Sequence, residues 1–222
     1  MVSLLALAVL QHAAVIPVSR PDNWWQDRHA ACVVGTKIRG FDVAFIGDSI
    51  TQAWDSSEKA AWDESFGPMK AANFGFSGDR TQHVLWRLDN GEVIGANPKV
   101  VVLMIGTNNI GVDSPAEISD GVTAIVDRLL AKTRAKILLL GIFPRAEAAD
   151  HPLRVEAGET TDLFFNRIEN PRVIKLDISS YFIRSDGSLR TLLMPDALHL
   201  NENGYAIWAK AILPAVRKML AG

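Results

Sequence analysis

The sequence of 222 residues contains a single cysteine, Cys32, so no disulfide can form within the chain and the fold must rest on its hydrophobic core. It also lacks an excess of charge of either sign, with 23 Lys and Arg against 25 Asp and Glu. Without a basic surface field, nucleic acid is not an expected partner. No apolar run is long enough to span a bilayer, so we expect no stable membrane insertion.

The N-terminus is apolar but has no lysine or arginine before Arg20. Its first residues, MVSLLALAVLQHAAV, resemble the apolar part and cleavage site of a secretory signal, although the usual positive charge is missing. We expect an N-terminal lead-in over residues 1–24 and a single domain over residues 25–222. Two localisations stay open: secreted or periplasmic if Met1 to about Ala14 is a cleaved signal, and cytoplasmic otherwise.

Apolar runs recur along the rest of the chain, and each predicts a buried strand. They show no alternation of polar and apolar residues, which is typical of parallel strands covered on both faces by helices. The runs are VAFIG from Val43, AANFG from Ala71, VVVLMIG from Val100, KILLLGIF from Lys136 and VIKLDI from Val173. Strands alternating with helical segments predict a three-layer α/β/α sandwich around a mainly parallel, five-stranded, flavodoxin-like sheet.

Helical spacing is clearest in the segment that follows Ser114. This serine is a predicted N-cap, with Pro115 at the first helical position and Glu117 completing a capping box. A second amphipathic segment begins at about Asn203, and Pro214 is expected to kink or interrupt it. The polar stretch from Pro144 has weak periodicity and is predicted to form a surface excursion.

In a parallel sheet, ligands bind at the carboxyl ends of the strands, so the residues found there are candidates for the functional site. Ser49 follows the first strand as part of FIGDSIT, where it is either a helix N-cap or a nucleophile. Gly75 and Gly78 follow the second strand, and glycine at such a loop either makes a turn or lets an N–H approach a ligand. Asn108 follows the third strand, where its amide either forms an Asx turn or donates to an oxyanion.

A fourth candidate group, Asp196 and His199, lies just before the last predicted helix in PDALH. At this spacing the carboxylate can orient the imidazole, and His199 can then serve as the base for a serine nucleophile. A surface Asp–His pair without function is the alternative. The joint occurrence of these groups at one sheet edge favours catalysis over coincidence.

The four segments FIGDSIT, NFGFSGDRT, IGTNN and PDALH resemble, in order and spacing, the four blocks of the SGNH hydrolases, also called GDSL-type esterases and lipases. The similarity runs from about Trp25 to the last helix. NWWQDRH, GDRTQHVLWRL and FPR are similar to the subgroup formed by the catalytic subunits of platelet-activating-factor acetylhydrolase Ib. The resemblance specifies the superfamily but not the substrate.

The resemblance implies a serine esterase that needs no cofactor or metal. Ser49 would be the nucleophile, His199 the general base and Asp196 its partner. The Ser49 N–H, the Gly78 N–H and the Asn108 side chain would form the oxyanion hole. Asp48 is interpreted as a hydrogen-bond acceptor that organises the nucleophile loop.

Residues next to these groups in the sequence are predicted to border the acyl part of the substrate. They are Ile50, Thr107 and Leu198, and the two aliphatic side chains would leave room only for a short, acetyl-sized acyl group. The partner is thus expected to be a small-molecule ester, either an acetylated carbohydrate or a phospholipid of the kind that an acetylhydrolase or lysophospholipase cleaves. Relatives in the resembled subgroup form dimers, so a homodimer is a further expectation.

Three other classes of function have less support in the sequence than an esterase. A metal hydrolase could use acidic and histidine side chains gathered at the sheet edge, but no metal-binding spacing supports it; the side chains are Asp48, Asp79, His83, Asp196 and His199. A nucleotide-binding module would need a glycine-rich phosphate loop, which is absent. A non-catalytic, dimeric interaction protein would not need the complete set of catalytic residues.

Overall fold

The computed structural model describes residues 12–38, 40–56 and 59–221. All five apolar runs of the sequence form strands there: β1 (Val43–Gly47), β2 (Ala71–Gly75), β3 (Val100–Met104), β4 (Lys136–Leu140) and β5 (Val173–Leu176). They make one sheet in the order β2-β1-β3-β4-β5, and every neighbouring pair is parallel. The predicted α/β fold with a five-stranded parallel sheet is confirmed.

Helices cover both faces of this sheet. The described residues form α1 (Asn23–Ile38), α2 (Ser49–Gln52), α3 (Lys59–Ser65), α4 (Thr81–Asp89), α5 (Pro115–Lys132), α6 (Pro152–Arg167) and α7 (Glu202–Ala221). Side chains of α4, α5 and α6 pack into one hydrophobic core and side chains of α3 and α7 into a second. The sheet lies between the two cores, which gives the predicted three layers.

Strand β1 shows why both cores form. Successive side chains of a strand point to opposite faces, so Ala44 and Ile46 enter one core while Val43 and Phe45 enter the other. All of these side chains are at most 1% exposed. A strand buried on both faces has no polar side to alternate with, which accounts for the continuous apolar run in the sequence.

The polar stretch after Pro144 is a correction to the sequence analysis, because most of it forms helix α6 rather than a surface excursion. The Nδ1 atom of His151 accepts from the Leu153 N–H and caps the helix, and Pro152 occupies the first helical position. The buried face of α6 carries Thr160, Thr161 and Arg154 as well as apolar groups. A helix with so many polar side chains on its buried face gives a weak apolar periodicity.

Helix α7 contradicts the expectation that Pro214 would interrupt it, since the helix continues through this residue to Ala221. A proline removes the N–H that would bond to the carbonyl four residues earlier, at Lys210. Both Pro214 and Lys210 are exposed, so water can solvate that carbonyl. The solvent-facing side of a helix is where this loss costs least.

Part of the predicted N-terminal lead-in packs on the folded body. The Ala14 carbonyl accepts from the Thr81 hydroxyl at 2.8 Å, and His12 Nε2 lies 3.0 Å from Asp120 Oδ2. Most of the predicted signal segment lies outside the described residues, and the division at residue 25 stays a prediction. Among helices within the described ranges, none is long and apolar enough to cross a membrane.

Candidate active site

Three strands bring their carboxyl ends to one level at the same edge of the sheet. Gly47 at the end of β1 is in register with Gly75 of β2 on one side and Met104 of β3 on the other. The chain passes from β1 to β2 and then crosses to β3, which makes this edge the topological switch point where open α/β sheets bind ligands. Ser49, Gly78 and Asn108 all follow these strand ends.

Ser49 is the first residue of α2, a short helix that lies directly against the end of β2. A Cβ atom on Gly75 would come within 2.2 Å of the Gln52 backbone nitrogen, so only glycine permits this approach. The second anchor of α2 is the hydroxyl of Tyr205 in α7, which donates to the Ile50 carbonyl at 2.6 Å. The position of Ser49 is therefore fixed by strand and helix contacts on both sides.

The structure brings Ser49, His199 and Asp196 into one hydrogen-bonded chain. Ser49 Oγ lies 3.0 Å from His199 Nε2, and His199 Nδ1 lies 2.6 Å from Asp196 Oδ2. The other carboxylate oxygen, Asp196 Oδ1, accepts from the backbone N–H groups of Leu198 and His199 at 3.0 and 2.6 Å. The carboxylate thus holds both the loop and the imidazole, which directs Nε2 at the serine hydroxyl.

The environment of Asp196 favours its ionised form. Partial burial raises the pKa of this carboxyl. The hydrogen bonds from the His199 ring and from the His199 and Leu198 N–H groups lower the pKa by more than burial raises it, so the net pKa is below the ordinary value. An ionised Asp196 accepts the Nδ1 proton of His199 and leaves Nε2 free to take a proton from Ser49. This is the arrangement of nucleophile, base and orienting carboxylate found in serine hydrolases.

The predicted oxyanion donors surround the same serine. Gly78 has a φ of +76°, a left-handed conformation in which a Cβ would also lie 2.8 Å from Arg20 Nη1. In the described part of the chain, neither the Ser49 N–H nor the Gly78 N–H has a hydrogen-bond acceptor. Asn108 Nδ2 donates to the Asp79 carbonyl at 2.9 Å, which uses one of its two amide hydrogens and leaves the other for a ligand.

Asp48 is a hydrogen-bond acceptor, as predicted: it accepts from the Ile50 N–H at 3.0 Å and in this way caps helix α2. Its side chain is fully buried, and this burial raises the pKa of the carboxyl from its ordinary value of 3.8 to about 7. The negative charge of Asp79 acts in the same direction. Asp48 is thus a structural acceptor whose charge is costly in the folded state.

This burial predicts that Asp48 contributes less to stability as the pH rises. From pH 3.8 to about 7, unfolded chains release the Asp48 proton while folded chains retain it, so the contribution of Asp48 to the free energy of unfolding is highest below that range and falls across it. In urea unfolding at a series of pH values, the free energy of unfolding of the wild type minus that of Asp48→Asn should fall as the pH rises, because asparagine keeps the cap and has no proton to lose. A difference that does not change with pH would contradict the assignment.

The acidic and histidine residues considered for a metal site have other partners. His83 Nδ1 accepts from the Arg80 N–H at 3.0 Å and caps α4, and burial lowers the pKa of this imidazole to about 4. Asp79 binds Trp25 and Arg87. Across the described ranges, no group of three His, Cys, Asp or Glu side chains is placed to hold a metal ion.

The residues predicted to border the acyl group differ in their exposure. Ile50 is 1% exposed and packs in the core on the α7 face, and Thr107 is 3% exposed with its carbonyl accepting from Arg145. Leu198 is partly exposed beside His199. An open cleft of about 390 Å³ also borders the nucleophile, lined by Ser49, Gln52, Ala53, Asp55, Ser56 and Ser77. Five of these six lining residues have polar side chains, and the acyl-bordering role of Ile50, Thr107 and Leu198 stays a prediction.

Several residues that hold this site were not identified from the sequence. Arg145 donates to the Thr107 carbonyl at 2.7 Å, and Gln52 Oε1 accepts from the Ser77 N–H at 2.6 Å. Arg87 and Trp25 both bind Asp79, next to Gly78. For Arg87, the sequence offers one indication: this arginine lies between Leu85 and Leu88, on the apolar face of a short helix. Such a position suggests a buried charge but does not name its partner.

The chain combines a doubly wound parallel sheet with a Ser–His–Asp chain of hydrogen bonds at its switch point, an arrangement typical of hydrolases. Residues 45–207 match the GDSL-like lipase/acylhydrolase family. The chain is 37% identical over 217 residues to the alpha2 subunit of platelet-activating factor acetylhydrolase IB from Rattus norvegicus, covering 96% of this chain and 91% of that protein. It therefore belongs to the GDSL-like lipase/acylhydrolase family and is a carboxylic ester hydrolase, which confirms the resemblance seen in the sequence.

Solved structures share the fold at low sequence identity. A GDSL-like lipase from Bacteroides thetaiotaomicron superposes with a TM-score of 0.69 at 20% identity, covering 88% of this chain and 96% of that one. Axe2, an acetylxylan esterase from Geobacillus stearothermophilus, gives a TM-score of 0.64 at 18% identity, covering 82% and 95%. These similarities extend to the arrangement of the sheet and its helices.

Proposed function

We propose that the protein hydrolyses short-chain carboxylic esters, with acetyl as the acyl group, through an acyl-enzyme on Ser49. The observation that carries this proposal is the chain of hydrogen bonds from Ser49 Oγ through His199 to Asp196, with distances of 3.0 and 2.6 Å. Donors without an acceptor lie beside it at Ser49 and Gly78. The acetylhydrolase relative and the acetylxylan esterase neighbour, by their names, both act on acetyl esters.

The reaction follows from the geometry in two halves. Ser49 Oγ attacks the ester carbonyl while His199 Nε2 accepts its proton, and the Ser49 N–H, the Gly78 N–H and the Asn108 amide stabilise the oxyanion. The tetrahedral intermediate collapses, the alcohol takes the proton from His199 and leaves, and the acyl group stays on Ser49. His199 then deprotonates a water molecule, which attacks the acyl-enzyme and releases the carboxylic acid.

Acyl-chain length is the first property that tests the proposal. Crowding by the aliphatic side chain of Leu198 beside His199 should exclude long chains, whereas each methylene that did fit would gain only about 0.8 kcal/mol from burial. We expect activity on p-nitrophenyl esters to be highest at about two to four carbons, and Leu198→Ala to move the optimum to longer chains. The measurement is kcat/KM across a series from acetate to octanoate.

Leu192 provides the matched control for this substitution. It lies in the same loop before α7 but is 81% exposed, so Leu192→Ala should leave the chain-length profile unchanged. If the wild-type protein prefers acyl chains of about eight carbons or more, burial of methylene groups outweighs crowding, and Leu198 does not limit the acyl chain. A long apolar groove would then have to accommodate the acyl chain.

The alcohol part of the substrate requires a separate comparison. The polar side chains that line the cleft beside Ser49 can hydrogen-bond a sugar acetate, whereas the acetylhydrolase relative is named for platelet-activating factor. One panel of substrates distinguishes the two candidate alcohols: acetylated sugars, an acetylated glycerophospholipid and p-nitrophenyl acetate. Higher kcat/KM for the sugar acetates than for the phospholipid would assign the cleft to a carbohydrate alcohol, and the reverse order would assign it to a lipid headgroup.

A further inference from the structure

Arg87 is a fully buried arginine in α4 that takes no part in the chemistry described above. Its Nε donates to Asp79 Oδ2 at 2.9 Å, and its Nη1 donates to both carboxylate oxygens of Glu92 at 2.5 Å. The guanidinium also lies 4.0 Å from the centre of the Phe76 ring. Arg87 is 1% exposed, and Asp79 and Glu92 are at most 1% exposed, so these three form a buried ionic group.

This group ends directly at the predicted oxyanion loop. Asp79 follows Gly78, and its carboxylate is held on both sides, by Arg87 and by Trp25 Nε1 at 2.7 Å. Its backbone carbonyl accepts from Asn108 Nδ2 at 2.9 Å. One residue therefore connects the loop that carries the Gly78 N–H to the amide that supplies another donor.

The same guanidinium also reaches the ends of two strands. Its Nη1 donates to the Phe74 carbonyl in β2 at 3.2 Å, and its Nη2 donates to the Gly47 carbonyl in β1 at 3.4 Å. Gly47 lies two residues before Ser49. Arg87 thus bonds the strand that leads to the nucleophile, the strand that leads to the oxyanion loop, and the loop itself.

Packing alone does not account for such a group. Removing three charged side chains from water is expensive, and well-packed apolar residues of similar volume often give equal or greater stability. What a guanidinium supplies is a planar set of donors with fixed directions. Burial raises the pKa of Asp79 to about 6 even with Arg87 beside it, so the carboxylate is ionised at neutral pH and the ionic group is maintained there.

We propose that Arg87 is a positioning residue of the oxyanion hole: through Asp79 it sets the places of the Gly78 N–H and the Asn108 amide, and through Gly47 it holds them in register with Ser49. The inference rests on the proposed function. An error in donor position weakens the oxyanion interaction in the transition state more than it weakens binding of the neutral ester. Loss of Arg87 should therefore lower kcat and leave KM nearly unchanged.

The test is the kinetics of Arg87→Lys and Arg87→Ala on p-nitrophenyl acetate. Lysine retains the positive charge but lacks the planar set of donors of the guanidinium, so we expect kcat to fall about 10- to 100-fold at nearly constant KM. Millimolar guanidinium should restore part of the kcat of Arg87→Ala by occupying the vacated space. Should these variants fail to fold, Glu92→Gln weakens the hold on Arg87 without removing it and should lower kcat in the same direction.

Arg172 supplies the matched control, because it also donates to several carbonyls but at the opposite edge of the sheet. Its guanidinium binds the Thr133 and Leu130 carbonyls at 2.9 and 2.7 Å. Arg172→Lys should lower the melting temperature without the loss of kcat. If Arg87→Lys and Glu92→Gln lose stability but keep wild-type kcat, the positioning role is overturned. A failure of the proposed function gives a different result from a failure of the positioning role, because Ser49→Ala would then retain activity.

Discussion

Replacing Ser49 with alanine should abolish ester hydrolysis, with kcat falling by at least about 10⁴-fold. The substitution removes the attacking oxygen while the donors around it remain, so binding of the ester should change little. Stability should also change little, because the His199 side chain is 42% exposed and water can replace the lost hydroxyl as its partner. Initial rates on p-nitrophenyl acetate, together with a thermal unfolding curve, measure both effects.

Ser77 is the control for this substitution. It lines the same cleft and lies next to Gly78, but its hydroxyl has no histidine partner within the described residues. Ser77→Ala should keep its activity, and an organophosphonate should label Ser49 alone in the wild-type protein. Labelling at Ser77, or an unchanged rate in Ser49→Ala, would remove Ser49 as the nucleophile.

Asp196→Asn should be almost as damaging, with an expected loss of about 10⁴-fold in kcat. The backbone N–H groups of Leu198 and His199 both require an acceptor at the Oδ1 position, so the asparagine amide nitrogen must take the place of Oδ2. It then donates to His199 Nδ1 and forces the ring proton onto Nε2. A protonated Nε2 cannot accept the proton of Ser49, and the fold should be unaffected.

A matched substitution separates this tautomer effect from a change in the loop. Asp186 also accepts from a backbone N–H two residues along the chain, at Ser188, but it pairs with no histidine among the residues that the structure describes. Asp186→Asn should therefore leave kcat unchanged. If Asp196→Asn were equally active, His199 would not depend on the carboxylate for its orientation.

The sheet could be predicted from the sequence because strands that are buried on both faces need apolar side chains at successive positions. Each strand is a continuous apolar run, and a covered parallel sheet is the structure to which such runs are suited. Helix α5 was equally clear, since Ser114 and Glu117 form the predicted capping box and its apolar face is regular. Helix α6 was missed because its buried face includes threonines and an arginine, which bond to groups outside the helix such as the Ile142 N–H and the Gly187 carbonyl.

For the candidate site, the sequence indicated the groups at strand ends but not their supports. Ser49, Gly78 and Asn108 could be located because the ends of parallel strands meet at one edge. The roles of Arg87, Arg145 and Tyr205 depend on which carbonyl or carboxylate each reaches in three dimensions. Those partners lie up to 155 residues away along the chain, a separation at which local spacing carries no information.

The separation of 150 positions between Ser49 and His199 also affects when the enzyme becomes active during synthesis. A nascent chain that has formed β1, β2 and β3 already displays its nucleophile and oxyanion donors, yet it lacks the base until the segment before α7 leaves the ribosome. Because the base lies near the end of the chain, its contact with Ser49 comes late in vectorial folding. Recovery of esterase activity on refolding should consequently follow docking of the C-terminal helix and lag behind the formation of the sheet.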